Sequence, residues 1–278
     1  MQCIIKLNEI LWLLSCSFAL SKKRSYMLLK ITKISAFLGG ILILYTCNTN
    51  KSHQTVITTQ VETVKTVLSK QERAKLTPDQ ILEDFKEGNN RFRNNNSTQR
   101  DHSAQIRNSA VGQFPKAFVL SCVDSRIPVE DIFDQGLGDV FVGRVAGNFI
   151  NEDLLGSMEF ACKVAGAKLI LVMGHQHCGA IKGAIDNVKL GNLTNLLSKI
   201  NPAIAMSQDF TGEKKSSNEN YVRLVSQNNV KNAINNIRLK SPVLREMEAK
   251  GEIKIKGAFY TLTKGELIIL DDLKTTKK

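Results

Sequence analysis

The sequence predicts an α/β fold: a mostly parallel sheet of about four strands with an antiparallel edge strand, and helices on both faces. Three observations carry this reading. Short continuous apolar runs, of which residues 168–174 (KLILVMG) are the strongest, have the length and composition of strands buried on both sides. Stretches with helical spacing separate those runs, the pattern of strand-helix-strand crossovers. The chain closes with two strand-like runs, 252–262 and 266–270, joined by Thr263-Lys264-Gly265, a link short enough only for a hairpin.

The pattern becomes regular from residue 76. Thr77-Pro78-Asp79-Gln80 opens a helix, because Thr is a good N-cap, Pro suits the first helical position and Gln closes a capping box. Ile81, Leu82, Phe85 and Phe92 share one face of it, and Asn94 to Asn96 end it. Residues 117–121 and 140–142 read as strands, and 152–165 as the helix that leads into strand 168–174. Further helices are predicted over 128–134, 180–188, 193–200, 222–239 and 242–250. The polar insertion 210–221 is expected to be a mobile surface loop. No internal repeat interrupts the pattern. Ligands of open sheets sit at the carboxyl ends of the strands, so chemistry is sought there.

The chain has 278 residues, 42% hydrophobic and 23% charged, which excludes a disordered chain and a collagen. The net charge of +12 belongs to the ends. Residues 1–75 hold 11 Lys/Arg against 3 Asp/Glu, while the body over 76–273 is nearly neutral. A nucleic-acid reader carries its positive patch on the folded surface, so no nucleic-acid partner is expected.

Residues 1–50 read as an export leader or a lipoprotein signal. The apolar runs 10–20 and 34–45 are too short to span a bilayer, which takes roughly 20 residues. The second run follows Met27, an alternative start, and the lysines Lys30 and Lys33, as a signal sequence does. It ends at Leu44-Tyr45-Thr46-Cys47, close to a lipoprotein box in which Cys47 takes the lipid. An ordinary export signal and an uncleaved anchor are the alternatives, and all three place the body outside the cytoplasm, in a bacterium the periplasm. Residues 51–75 read as a polar linker, 76–273 as one domain and 274–278 as a basic tail.

Six cysteines occur. Cys3, Cys16 and Cys47 fall in the leader, and Cys162 is read as a small apolar residue on a packed helix. Cys122 and Cys178 each follow a predicted strand, and His175 stands three residues before Cys178. Two thiolates and an imidazole form a three-ligand zinc set with a fourth position open for chemistry. Asp124 and Arg126 alternate with Cys122 along the strand end, so all three point the same way. Asp124 is placed to take the fourth zinc position itself, or to be held by Arg126 and accept a hydrogen bond from a zinc-bound water. A Cys122–Cys178 disulfide in an exported protein is the rival reading.

Cys-x-Asp-x-Arg over residues 122–126 followed by His-x-x-Cys over 175–178 resembles the β-class carbonic anhydrases. Phe133-Asp134-Gln135-Gly136, Arg144-Val145-Ala146-Gly147-Asn148 and Gly257-Ala258-Phe259-Tyr260 are similar to segments of that family, so the resemblance covers about 76–270. It implies one zinc ion per subunit on Cys122, His175 and Cys178, and a homodimer or higher oligomer. It also implies that Gln135 donates a hydrogen bond to bound carbon dioxide or bicarbonate across the subunit boundary. That Gln places the chain in the subgroup whose zinc stays open to water, with Asp124 on the metal only in a closed state. His177 relays protons or is an exposed loop residue; His53 and His102 have no site role.

The activity implied is reversible hydration of carbon dioxide to bicarbonate and a proton by a zinc-bound hydroxide. Zinc lowers the pKa of its water toward about 7. Two thiolates offset the charge of the ion, so activity is predicted to rise toward alkaline pH. Asp124 would orient the hydroxide, and Gln135 with the Gly179 N–H would meet the developing bicarbonate oxygen. Two other readings keep the zinc: hydrolysis of carbon disulfide or carbonyl sulfide, and a binding protein whose zinc is structural.

Overall fold

The computed structural model describes residues 62–270. The leader with Cys3, Cys16, Met27 and Cys47, most of the linker with His53, and the basic tail lie outside the described residues. The elements run α1 (Lys70–Lys75), α2 (Pro78–Arg93), α3 (His102–Ser109), β1 (Ala117–Ser121), α4 (Val129–Ile132), β2 (Val140–Arg144) and α5 (Glu152–Glu159). A π-helical turn, Phe160–Val164, continues α5. Then follow β3 (Leu169–His175), α6 (Gly179–Ile185), α7 (Gly191–Ser198), α8 (Asn201–Ala205), α9 (Glu219–Lys240), α10 (Pro242–Ala249), β4 (Lys254–Thr261) and β5 (Glu266–Leu270).

The sheet has the order β2-β1-β3-β4-β5. The first four are parallel, with Ala117 opposite both Val140 and Leu169, and β5 returns antiparallel to β4 with Gly257 opposite Leu270. Pleat alternation sends side chains to two cores. Phe118, Leu120, Ile170, Val172 and Ile255 pack against the helices at 152–164, 219–240 and 242–249. Ala117, Val119, Leu169, Leu171 and Met173 pack against Ile81, Leu82 and Phe85 of α2 and Ile132 of α4. Residues of β1 and β3 are buried on both faces, which is why those runs are apolar throughout.

The predicted capping box at Thr77 forms, with Gln80 N bonded to Thr77 Oγ1 and Thr77 N to Gln80 Oε1. Helix α2 then runs so close to the loop after α4 that a Cβ on Gly88 would stand 1.9 Å from the Phe133 carbonyl oxygen. Phe85 stacks on Phe133 at 4.5 Å between ring centroids.

Two expectations need correction. The polar linker is expected to reach residue 75, but the chain is docked on the body from Val64, which bridges to Arg100. Ser69 and Glu72 cap α1, and buried Arg73 reaches the Ala165 carbonyl. A short polar helix held by polar contacts to Ala165 and Lys168 leaves no apolar period to read. The insertion 210–221 is not a free loop either. Phe210 packs on buried Tyr221 at 5.3 Å, and Asn218 accepts from Asn220 N and Tyr221 N to start α9 ahead of its predicted first residue, 222. Helices α3 and α8 were not anticipated. Among the described residues no helix is long and apolar enough to cross a membrane.

Candidate metal centre

The chain runs from β1 outward to β2 and then crosses back to β3 on the other side, so the strand order reverses between β1 and β3. A crevice opens at the carboxyl ends of two such strands. Cys122 is the residue after β1, His175 ends β3, and Cys178 caps the start of α6. Their ligand atoms lie within 4.8 Å of one another, and all three residues are buried.

The donor set fits zinc on the evidence of the imidazole. His175 Nδ1 lies 2.9 Å from the Gln176 carbonyl, which can only accept, so Nδ1 carries the proton. Nε2 is then a bare lone pair, fully buried and without a hydrogen-bond partner. A buried acceptor left unpaired costs about 1–3 kcal/mol, a penalty that a metal ion removes. Both cysteines are free thiols, which sets aside the disulfide reading. The Cys178 thiol donates to Cys122 and holds it far below the ordinary thiol range, helped by the backbone N–H groups of Gly147 and Asp124. The same contact, together with burial, pushes Cys178 up. The Cys122 sulfur is thereby biased toward the thiolate, the form a metal takes.

Asp124 is gripped by Arg126. The backbone N–H and Nε of Arg126 donate to Oδ1 at 3.0 and 2.9 Å, and Nη2 donates to Oδ2 at 2.7 Å. These bonds hold the Asp124 carboxyl well below the usual carboxylate range against the opposing effect of burial. Asp124 Oδ2 stands 4.0 Å from His175 Nε2, at the edge of the ligand triangle. Arg144, at the end of β2, fastens the loop from the far side: Nε donates to the Cys122 carbonyl at 2.8 Å and Nη2 to the Asp124 carbonyl at 2.6 Å. Arg144 carries no site role in the sequence pattern alone. Its signal is register, since Arg144 pairs with Ser121 next to the first ligand.

The sequence profile of the carbonic anhydrase family matches residues 117–267. Carbonic anhydrase 2 of Mycobacterium tuberculosis is 34% identical over 198 residues, 68% of this chain and 91% of that protein. β-carbonic anhydrase 3 of Arabidopsis thaliana is 30% identical over 70% of this chain and 79% of its own length. A tetrameric β-carbonic anhydrase of Sordaria macrospora superposes with a TM-score of 0.54 at 26% identity, covering 60% of this chain and 86% of that one. The chain belongs to the β-class carbonic anhydrases.

β-carbonic anhydrases are zinc enzymes that hydrate carbon dioxide reversibly to bicarbonate, and Cys122, His175 and Cys178 form a group that fits such a zinc site here. Within this carbonic anhydrase Gln135 stands three residues after α4. It is buried, and its Nε2 donates to the Phe133 carbonyl at 2.7 Å and to Asp84 at 3.2 Å. An amide has two N–H donors, and both are spent inside the chain. His177 is not a free loop residue: Nδ1 pairs with Glu219 Oε2 at 2.6 Å, and Lys182 meets the other oxygen of Glu219 at 2.7 Å. His102 begins α3 in an exposed position, as expected of a residue with no site role. The Gly179 N–H belongs to the first turn of α6, where helices leave donors without an internal acceptor. Cys162 is buried with its thiol pushed up to about 12, an inert core residue as read.

Proposed function

We propose that the fourth zinc position of this carbonic anhydrase stays open to solvent at neutral pH, with Asp124 held beside it by Arg126. The observation that carries this is the grip of Arg126, through its backbone N–H, Nε and Nη2, on both carboxylate oxygens. For Asp124 to become a ligand, at least part of that grip must break, and Arg144 must let the loop move.

Zinc bound by Cys122, His175 and Cys178 supplies Lewis acidity that brings the pKa of a water toward about 7. Ionised Asp124 accepts a hydrogen bond at Oδ2 from the attacking oxygen and so turns its lone pair toward the carbon of carbon dioxide. The bond formed is oxygen to carbon. The negative charge ends on the oxygens of bicarbonate, and one proton leaves to solvent. The Gly179 N–H is a donor for the bicarbonate oxygen. The sulfurs stand in an apolar cluster with Ile181, Leu197, Ile200 and Val225, which keeps competing water from them and suits a nonpolar substrate. Thiolate ligation offsets the charge of the ion, so the rate rises toward alkaline pH.

The working unit is a homodimer or a larger homo-oligomer; the tetrameric state of the Sordaria relatives supports association. We further propose that the chain is exported, in a bacterium to the periplasm, and that Cys47 is a candidate lipid anchor. The basic residues at 22–24, 30 and 33 ahead of the apolar run 34–45 support this. The test is zinc analysis with a carbon dioxide hydration assay on the same preparation. One zinc per chain with turnover supports the reading. Bound zinc without oxygen exchange between carbon dioxide and water would leave a structural zinc, and turnover of carbon disulfide alone would move the substrate.

A further inference from the structure

Besides the apolar Val225, helix α9 brings a polar side chain up behind the metal centre. Asn229 is 1% exposed, and its Nδ2 donates to the Gly147 carbonyl at 2.6 Å. That carbonyl only accepts, so the NH2 end of the amide must face it. Gly147 has φ +81°, where any other residue is strained, and a Cβ there would meet Ile200 Cδ1 at 2.7 Å. The Gly147 N–H donates to Cys122 Sγ at 3.3 Å. Asn148 follows with φ +39°, a left-handed conformation that costs a non-glycine residue about 1–2 kcal/mol. Two successive left-handed residues form a turn that needs an external hold. Arg144 anchors the strand before it, and Asn229 is bonded to the turn itself.

We propose that Asn229 is a positioning residue of the zinc centre: by pinning the Gly147 carbonyl it aims the Gly147 N–H at Cys122 Sγ. An N–H bonded to a ligand sulfur draws electron density from it, which fixes the ligand and weakens its donation to the ion. Without Asn229 the turn relaxes, the sulfur loses its donor, and the ligand set is no longer held. The neighbouring Asn228 is a matched control. It too is buried on α9, and its Nδ2 bonds the Met206 carbonyl at 3.1 Å and Ser207 Oγ at 2.8 Å, away from the ligands.

The inference rests on the zinc site described above, and the full-length wild-type protein tests that site first, by one zinc per chain and a thiolate-to-metal band after cobalt substitution. Absence of both would fail the zinc site and not Asn229. Asn229→Leu is then compared with Asn228→Leu by zinc release to a chelator and by the cobalt band. Asn229→Leu is expected to release zinc about tenfold faster or more and to move the band to longer wavelength, while Asn228→Leu changes neither. Release within about twofold of wild type, an unmoved band, or the same changes in Asn228→Leu would each overturn the proposal. Should Asn229→Leu not fold, Asn229→Asp carries the test. It keeps the size of the side chain, and at mildly alkaline pH its carboxylate cannot donate, so both changes must appear there.

Discussion

Replacing Asp124 by Asn exchanges one carboxylate oxygen for an NH2 group, which makes it the sharpest probe of the site. The amide keeps the shape of the carboxylate, but one oxygen becomes an NH2 group. At Oδ2 this turns a 2.7 Å bond from Arg126 Nη2 into two donors facing each other. The side chain of Arg126 is 53% exposed, so the guanidinium can turn to water, and the stability lost should be about 1 kcal/mol or less. Turnover faces a larger loss. The variant no longer holds an ionised acceptor beside the attacking oxygen, an effect of about 10²–10⁴ in rate, or roughly 3–5 kcal/mol of barrier. None of the three ligand atoms is touched, so zinc stays at one per chain. Because Arg126 holds Asp124 ionised well below neutral pH, this group does not produce the pH dependence near neutrality. The plateau of kcat should fall while its pH midpoint stays. Stopped-flow carbon dioxide hydration across pH, with metal analysis of the same sample, measures all of this. A kcat within about tenfold of wild type, or loss of the zinc, would refute the role given to Asp124.

Other outcomes follow from the same geometry. Cys178→Ser should lose zinc and turnover together, measured by metal analysis and assay, because a serine hydroxyl is a poor ligand for this ion. Asp134, buried between Arg91 and Arg100 at 2.5 Å from each, also accepts from Thr98, and these partners outweigh burial and bring its pKa to about 2 from 3.8. A depressed carboxylate stabilises the fold above its unfolded pKa and stops doing so as pH falls through the folded one. Denaturant titrations should therefore lose about 2 kcal/mol between pH 4 and 2, and Asp134→Asn should abolish that step while lowering stability at neutral pH by about 3–5 kcal/mol. Gly88→Ala would gain about 1 kcal/mol on an exposed helix, but here its methyl meets the Phe133 carbonyl at 1.9 Å. The helix must move, and thermal melting should show a net loss of about 1–3 kcal/mol.

The amino-acid sequence alone determined the class of fold, the strand ends that matter and the ligand set. Strands buried on both faces leave an unbroken apolar run, as at 168–174, and a metal site needs residue types that few other sites combine. Cys122, Asp124, Arg126, His175 and Cys178 were therefore legible before any coordinates. Where a contact joins residues distant in the chain, no local pattern records it. Arg144 was quoted and given no task because its partners lie some twenty residues away across a strand pair. Asn229 was invisible within a polar helical stretch, since its acceptor is 82 residues distant. Gln135 carries a contact of the same kind, its amide reaching Asp84, 51 residues away. Local spacing and composition reveal which chemistry a segment can perform. Only the packed chain decides which donors and acceptors remain free to perform it, because every buried polar group must first satisfy its neighbours.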